Sequence, residues 1–254
     1  MNLLCSIFAC ILLALPVTAG RYPGEKFIIA QLSFSGDWNP RPEATKQLII
    51  ELMNRTSINA ALLPRTVSLL DNDLFFYPFI LMTGQGPFAP FSKQERERLR
   101  LFLDQGGFLL IDNSEGAKDG PFDRSVRREL AAFFPDNTLS LLPLDHSIYR
   151  SFYLMREEYF GGRVRTAPYL EGITIDDATP VVYSLNDAAG AWAKGNDARF
   201  LYDVIPGGER QRQIAFNFGV NAVLYALTAN YKKDAVHVKA LMERGKYRKL
   251  PWTR

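Results

Sequence analysis

Residues 92–112 read Ser92-Lys93-Gln94-Glu95-Arg96-Glu97-Arg98-Leu99-Arg100-Leu101-Phe102-Leu103-Asp104-Gln105-Gly106-Gly107-Phe108-Leu109-Leu110-Ile111-Asp112. Ser92 and Glu95 have the spacing of a capping box, in which hydroxyl and carboxylate each satisfy a free backbone N–H at the start of a helix. Leu99, Phe102 and Leu103 then share one helical face, with Glu95, Arg96, Arg98 and Arg100 turned largely to water. Gly106-Gly107 supplies a left-handed stop. Phe108 to Asp112 follows as a short apolar run ending in a carboxylate, the pattern of a strand buried on both faces.

The same alternation extends in both directions. Phe27–Leu32 and Phe79–Thr83 are further short apolar runs, the second closed by Gly84-Gln85-Gly86, and Thr66–Leu69 is a weaker one. Glu43–Asn54 carries Leu48, Ile49, Leu52 and Met53 at helical spacing after Pro42, which suits a first turn. A helix over about Asp123–Phe134 buries Val126, Leu130 and Phe133 and stops at Pro135. Strands of this kind alternating with helices predict an α/β fold with a mostly parallel sheet covered on both faces, doubly wound and flavodoxin-like. Ile173–Ile175 and Val181–Tyr183 flank Asp176–Pro180 and predict a β-hairpin inserted on the sheet edge. Gln213–Phe216 reads as a last strand, Gly219–Thr228 as a helix with Val220, Val223, Leu224 and Leu227 inward, and Val236–Arg244 as a terminal helix.

The chain has 254 residues, 47% hydrophobic and 22% charged, so disordered, collagen-like and disulfide-rich classes are excluded. Its formal charge of +3 is unevenly spread. Residues 231–254 hold eight Lys/Arg against Asp234 and Glu243, leaving residues 1–230 at −3. A mildly acidic body argues against a nucleic-acid groove. The basic end fits an anionic membrane surface or an acidic partner, or simply a solvated tail.

Leu3–Ala19 is uncharged and apolar, then runs Pro16-Val17-Thr18-Ala19. This predicts a signal peptide over residues 1–19, cleaved after Ala19, and hence a secreted or periplasmic protein; the alternative is an uncleaved membrane anchor. Both cysteines, Cys5 and Cys10, lie in that segment. The expected mature chain, an α/β domain over 20–230 and a basic helix and tail over 231–254, therefore has no disulfide, thiolate nucleophile or cysteine metal site. With only His146 and His237, a multi-histidine zinc site is excluded as well.

Longer motifs follow in order: Tyr77–Gly84, Phe91-Ser92, Gly106–Asp112, Asp123-x-x-x-Arg127-Arg128-Glu129-Leu130 and Leu142-Pro143-Leu144-Asp145-His146-x-Ile148–Tyr153. Leu170-Glu171-Gly172-Ile173, Tyr183-Ser184-x-Asn186-Asp187 and Gly219–Thr228 complete them. Together they resemble the bacterial family catalogued as domain of unknown function 4159, over nearly the whole mature chain. The resemblance implies a class I glutamine amidotransferase-like fold and an exported or membrane-attached protein. It also implies a cell-envelope partner associated with MoxR-type ATPases and von Willebrand A-type membrane proteins. It brings no activity and no cofactor, and the cysteine an amidotransferase needs is missing.

In an open α/β sheet, ligands sit beyond the carboxyl ends of the strands. Asp37-Trp38, Gly84-Gln85-Gly86 and Asp112-Asn113-Ser114 fall at three such ends, and Asp145-His146 follows a short apolar run that could reach the same rim. These residues are the candidate ligand-binding set, with the kit for a polar ligand or a hard cation. Each has a plainer role: Asp112 as a loop cap, Asp37-Trp38 as a turn, His146 as an orienting hydrogen-bond group, Asp123 as a helix N-cap. Arg124, Arg127, Arg128 and Glu129 read as a solvated helix face. Gly84-Gln85-Gly86 lacks the length, Lys and Ser/Thr of a phosphate loop. A serine- or metal-dependent hydrolase built on Asp112, Ser114 and His146 is the alternative to a non-catalytic binding domain. Asp112 stands where a nucleophile elbow has its first glycine, which disfavours it.

Overall fold

The computed structural model describes residues 26–155 and 161–243, with side chains as far as residue 228. The expected signal segment, 1–19, and the tail beyond Glu243 lie outside the described residues.

Five strands run parallel: β1 (Ala30–Leu32), β2 (Arg65–Val67), β3 (Phe79–Gly84), β4 (Phe108–Asn113) and, much later in the chain, β7 (Ala178–Ser184). β6 (Glu171–Ile175) pairs antiparallel with β7, and β5 (Ser140–Leu141) antiparallel with β6. The sheet order is β2-β1-β3-β4-β7-β6-β5. The helices are α1 (Ala44–Arg55), α2 (Lys93–Asp104), α3 (Pro121–Phe133), the short α4 (Ala188–Trp192) and the long α5 (Gly208–Glu243).

Successive residues of a strand point to opposite faces, and the two central strands show it directly. Phe79, Leu81, Phe108 and Leu110 join Val182 in one core with Leu48, Leu52, Trp192 and Phe216 of α1, α4 and α5. Ile80, Met82, Leu109 and Ile111 join Leu99, Phe102, Val126 and Leu130 of α2 and α3 on the other face. The protein is thus an α/β, flavodoxin-like, doubly wound sheet, as the apolar runs predict. The capping box of α2 is formed, with Ser92 Oγ accepting from the Glu95 N–H and Glu95 Oε2 from the Ser92 N–H. Gly106 takes the left-handed φ of 97° that ends this helix.

The structure departs from the sequence reading at three places. The hairpin forms about a turn at Asp176, whose φ is 52°. Its second strand, however, is interior to the sheet beside β4, so the hairpin continues the sheet rather than decorating its edge. Gln213–Phe216 is not a strand but the second turn of α5, which runs unbroken to Glu243. The burial of Gln211, Arg212, Ala215, Phe216, Gly219, Val220, Ala222, Val223 and Ala226 has helical spacing, which a four-residue apolar window cannot reveal. Asp123 is not the cap of α3: Gly120 holds that place and Pro121 the first position.

Candidate functional site

The loops after β1, β3, β4 and β7 meet at the carboxyl end of the sheet. Asp37 and Gln85 close the first pair of loops through backbone pairing and a 2.7 Å bond from Gln85 Nε2 to Asp37 Oδ2. Trp38 is half-buried, and its carbonyl accepts from Thr83 Oγ at 2.9 Å. Beneath it, Gln31 donates to Asn39 Oδ1 at 2.9 Å and accepts from Thr45 Oγ1 at 3.0 Å. Gly84 is required by space, since a Cβ there would lie 2.2 Å from the Phe122 ring.

The loop after β4 turns back on itself. Asn113 Oδ1 accepts from the Glu115 N–H and its amide donates to the Ala117 carbonyl. Glu115 is thereby aimed at the start of α3, where its carboxylate accepts from the N–H groups of Gly86 (2.8 Å) and Phe122 (3.3 Å). A helix N-terminus with a free glycine amide beside it is a ready seat for an anion, and here the chain's own carboxylate sits in it.

Asp112 is fully buried and accepts from the N–H groups of Ala188 (2.8 Å) and Ala189 (2.9 Å). It caps α4, 76 residues further along the chain and beyond α3 and three strands, rather than its own loop. Burial pushes its carboxyl up to about 7, with the neighbouring charge of Asp187 acting in the same direction. Asp187, also fully buried, has left-handed φ and accepts from the Gly190 N–H, completing the satisfaction of the first N–H groups of α4. Two guanidinium groups neutralise it: Arg41, at 2.9 Å, and Arg163. Arg41 also donates to the Ser114 carbonyl at 3.1 Å and lies over the Tyr202 ring, 4.3 Å from its centre. The Arg41–Asp187–Arg163 cluster is the electrostatic centre of the rim. Sequence reasoning passed over it, because no local spacing connects a Pro-Arg-Pro loop, a Gly-Gly-Arg turn and a carboxylate after β7.

Of the expected set, Asp37, Trp38, Gly84, Gln85, Gly86, Asp112, Asn113 and Ser114 are brought together at this end. Asp145 and His146 are not. His146 Nε2 bonds Thr179 Oγ1 at 2.9 Å, its ring packs on Tyr225, and its Nδ1 accepts from the Ile148 N–H. Thr179 precedes Val181, the partner of Leu109 in β4, so His146 lies by the amino ends of the strands. Ser114 follows the carboxyl end of β4, about 20 Å from that level at roughly 3.3 Å per residue. The Ser114–His146 pair is therefore not assembled. Ser114 Oγ is buried and has no hydrogen-bond partner among the described residues. Nor do the described residues hold a cluster of three His, Cys, Asp or Glu side chains that could bind a metal ion.

On α3, Arg124 and Arg128 are exposed as expected, whereas Arg127 is half-buried and Glu129 buried, both engaged. Arg127 bridges Asp123 at 2.9 Å and Glu171 at 2.6 Å, Asp123 accepts from Tyr183 at 2.9 Å, and Arg128 pairs with buried Glu129. These contacts tie α3 to β6 and β7.

No curated protein matches the chain. A family profile described as "Domain of unknown function (DUF4159)" matches residues 28–227.

Proposed function

The chain belongs to the DUF4159 family, and from that footing we propose that it is an exported, non-catalytic, amidotransferase-like domain that binds a protein partner in the bacterial cell envelope. The observation that carries this reading is the internal pairing of the rim. Asp112, Asp187, Arg41, Arg163 and Glu115 engage one another or backbone N–H groups. A site arranged for turnover keeps a nucleophile beside a base and leaves donors free for developing charge. Here the Ser114 hydroxyl has neither a hydrogen-bond partner nor a histidine beside it among the described residues, and the anion seat at α3 is filled by Glu115. What the rim presents outward is a rigid surface with exposed Asp37, half-buried Trp38 and half-buried Gln85. In this reading residues 1–19 deliver the chain to the periplasm, and the partner is of the von Willebrand A-type membrane class that the family resemblance implies.

The test is co-expression with such a partner followed by size-exclusion chromatography. The expected result is a stable complex that Trp38→Ala or Asp37→Arg weakens at least tenfold without moving the thermal melt. Separate migration of the two proteins refutes the partnership. Ester or amide turnover by the wild type that disappears in Ser114→Ala refutes the non-catalytic reading. Retention of the chain in the cytoplasmic fraction refutes export.

A further inference from the structure

We propose that the Arg41–Asp187–Arg163 cluster, together with the Ser114 hydroxyl, binds an oxyanion, a carboxylate or phosphate group seated at the carboxyl end of the sheet. The first observation is the balance of charge. Arg41 Nη2, at 2.9 Å, and Arg163 Nε both donate to the same oxygen, Oδ2 of Asp187. Among the described residues neither guanidinium pairs with any other carboxylate, so two cations share one anion. Asp112, beside Asp187, is pushed up to about 7 by burial and by the Asp187 charge, so below that pH it adds no second negative charge. The groups are largely withdrawn from water: Asp187 is fully buried, and the Arg41 and Arg163 side chains are 12% and 25% exposed. A surplus positive charge in that setting is weakly screened and attracts an anion strongly.

The second observation is a surplus of donors over acceptors. Arg163 commits only Nε to Asp187, and its Nη groups bond to nothing among the described residues. Nη2 borders the turn after β4, where a Cβ on Gly116 would lie 3.8 Å from it. That turn begins at Ser114, whose carbonyl accepts from Arg41 at 3.1 Å. The Ser114 N–H still bonds the Gly84 carbonyl, so the ladder of β3 and β4 runs on through it. Strand alternation then puts the Ser114 side chain on the face of Asp112, which is the face of α4. There its buried hydroxyl has no partner among the described residues. Unpaired donors gathered round a positive surplus select a negatively charged acceptor.

The third observation is place. Arg41 follows β1, Ser114 follows β4 and Asp187 follows β7, so three strand ends contribute, and strand ends are where open α/β sheets hold ligands. The contrast with the start of α3 is direct, since there Glu115 already supplies the anion. The same groups would hold a free ion or an acidic side chain of a partner, so the inference does not depend on the partner reading.

The test takes the purified full-length chain at about pH 6 and constant ionic strength, where Asp112 is mostly neutral. Inorganic phosphate and, separately, acetate are titrated while the arginine Nε–Hε signals are followed by NMR. Saturable shifts at Arg41 and Arg163 are expected. Arg163→Lys keeps a cation on Asp187 but removes the Nη fork, and should weaken binding about tenfold, with Ser114→Ala weakening it several-fold. Arg199→Gln, at the same end but 87% exposed, should leave the affinity unchanged. Absence of a saturable shift, shifts of equal size at exposed arginines such as Arg199, or undiminished affinity in either site variant overturns the proposal. Where the site binds, phosphate that displaces a co-expressed von Willebrand A-type protein assigns the seat to a partner carboxylate, and binding that leaves such a complex intact assigns it to a free ion.

Discussion

Ser114 and Asp112 are two residues apart and stand in opposite physical situations. The Ser114 hydroxyl is buried without a partner among the described residues, a condition that costs about 1–3 kcal/mol of desolvation. Ser114→Ala is accordingly expected to raise stability by roughly 1 kcal/mol, read as a higher urea midpoint at unchanged slope. A loss of stability would show that the hydroxyl holds something. Asp112 is buried with its oxygens engaged, and its carboxyl rises from the ordinary 3.8 to about 7. The folded state therefore holds this proton more tightly than the unfolded chain does. The stability Asp112 contributes is full below about pH 4 and declines as pH rises through about 7. Urea midpoints measured from pH 4.5 to 8 should fall across that window in wild type, and the decline should be absent in Asp112→Asn. A decline of equal size in both would assign the titration to another group. Residue identity made Asp112 visible as a candidate, but the plainer role weighed for it was capping its own loop, and it caps α4 instead. Which helix it caps was not readable, because its partners lie 76 and 77 residues away. The Arg41–Asp187 contact, 146 residues long in sequence, was hidden for the same reason.

At the scale of elements, legibility followed the source of the stabilisation. β3, β4 and α2 are specified by local signals: apolar runs of strand length, a capping box and a glycine stop. Each was found within a few residues of its observed bounds. α5 is specified by its neighbours. Its small residues let it approach α1 and α4, and a Cβ on Gly219 would lie 2.4 Å from Leu48 Cδ1 and 2.9 Å from Trp192 Cζ2. Nothing in residues 213–216 read alone announces that packing, and the same four residues fit a strand equally well. Gly219→Val is expected to destabilise by roughly 1–3 kcal/mol through overpacking at this crossing, while leaving the helix content by circular dichroism unchanged. A cost near zero would mean that α5 can slide away from α1.

For the whole molecule, the sequence predicted two covered faces and a mostly parallel sheet, and the structure has both. The position of the hairpin was misjudged because strand order is a tertiary property: β7 enters between β4 and β6. That order predicts a gradient of hydrogen exchange. Amides of β3, β4 and β7 should exchange only through global opening, and those of the short outer strands β2 and β5 orders of magnitude sooner. Equal protection across the sheet would indicate that the edges are covered by a partner or a second copy. The insertion of β7 also carries a consequence in time. β4 is complete at Asn113, whereas its neighbour begins at Ala178. At 5–20 residues per second, a ribosome needs on the order of ten seconds to make the intervening chain. Throughout that interval the nascent β2-β1-β3-β4 half carries a bare strand edge, apolar from Phe108 to Ile111, open to pairing with any passing chain. The period of greatest hazard for this protein is therefore set by the distance along the message between two strands that finish side by side.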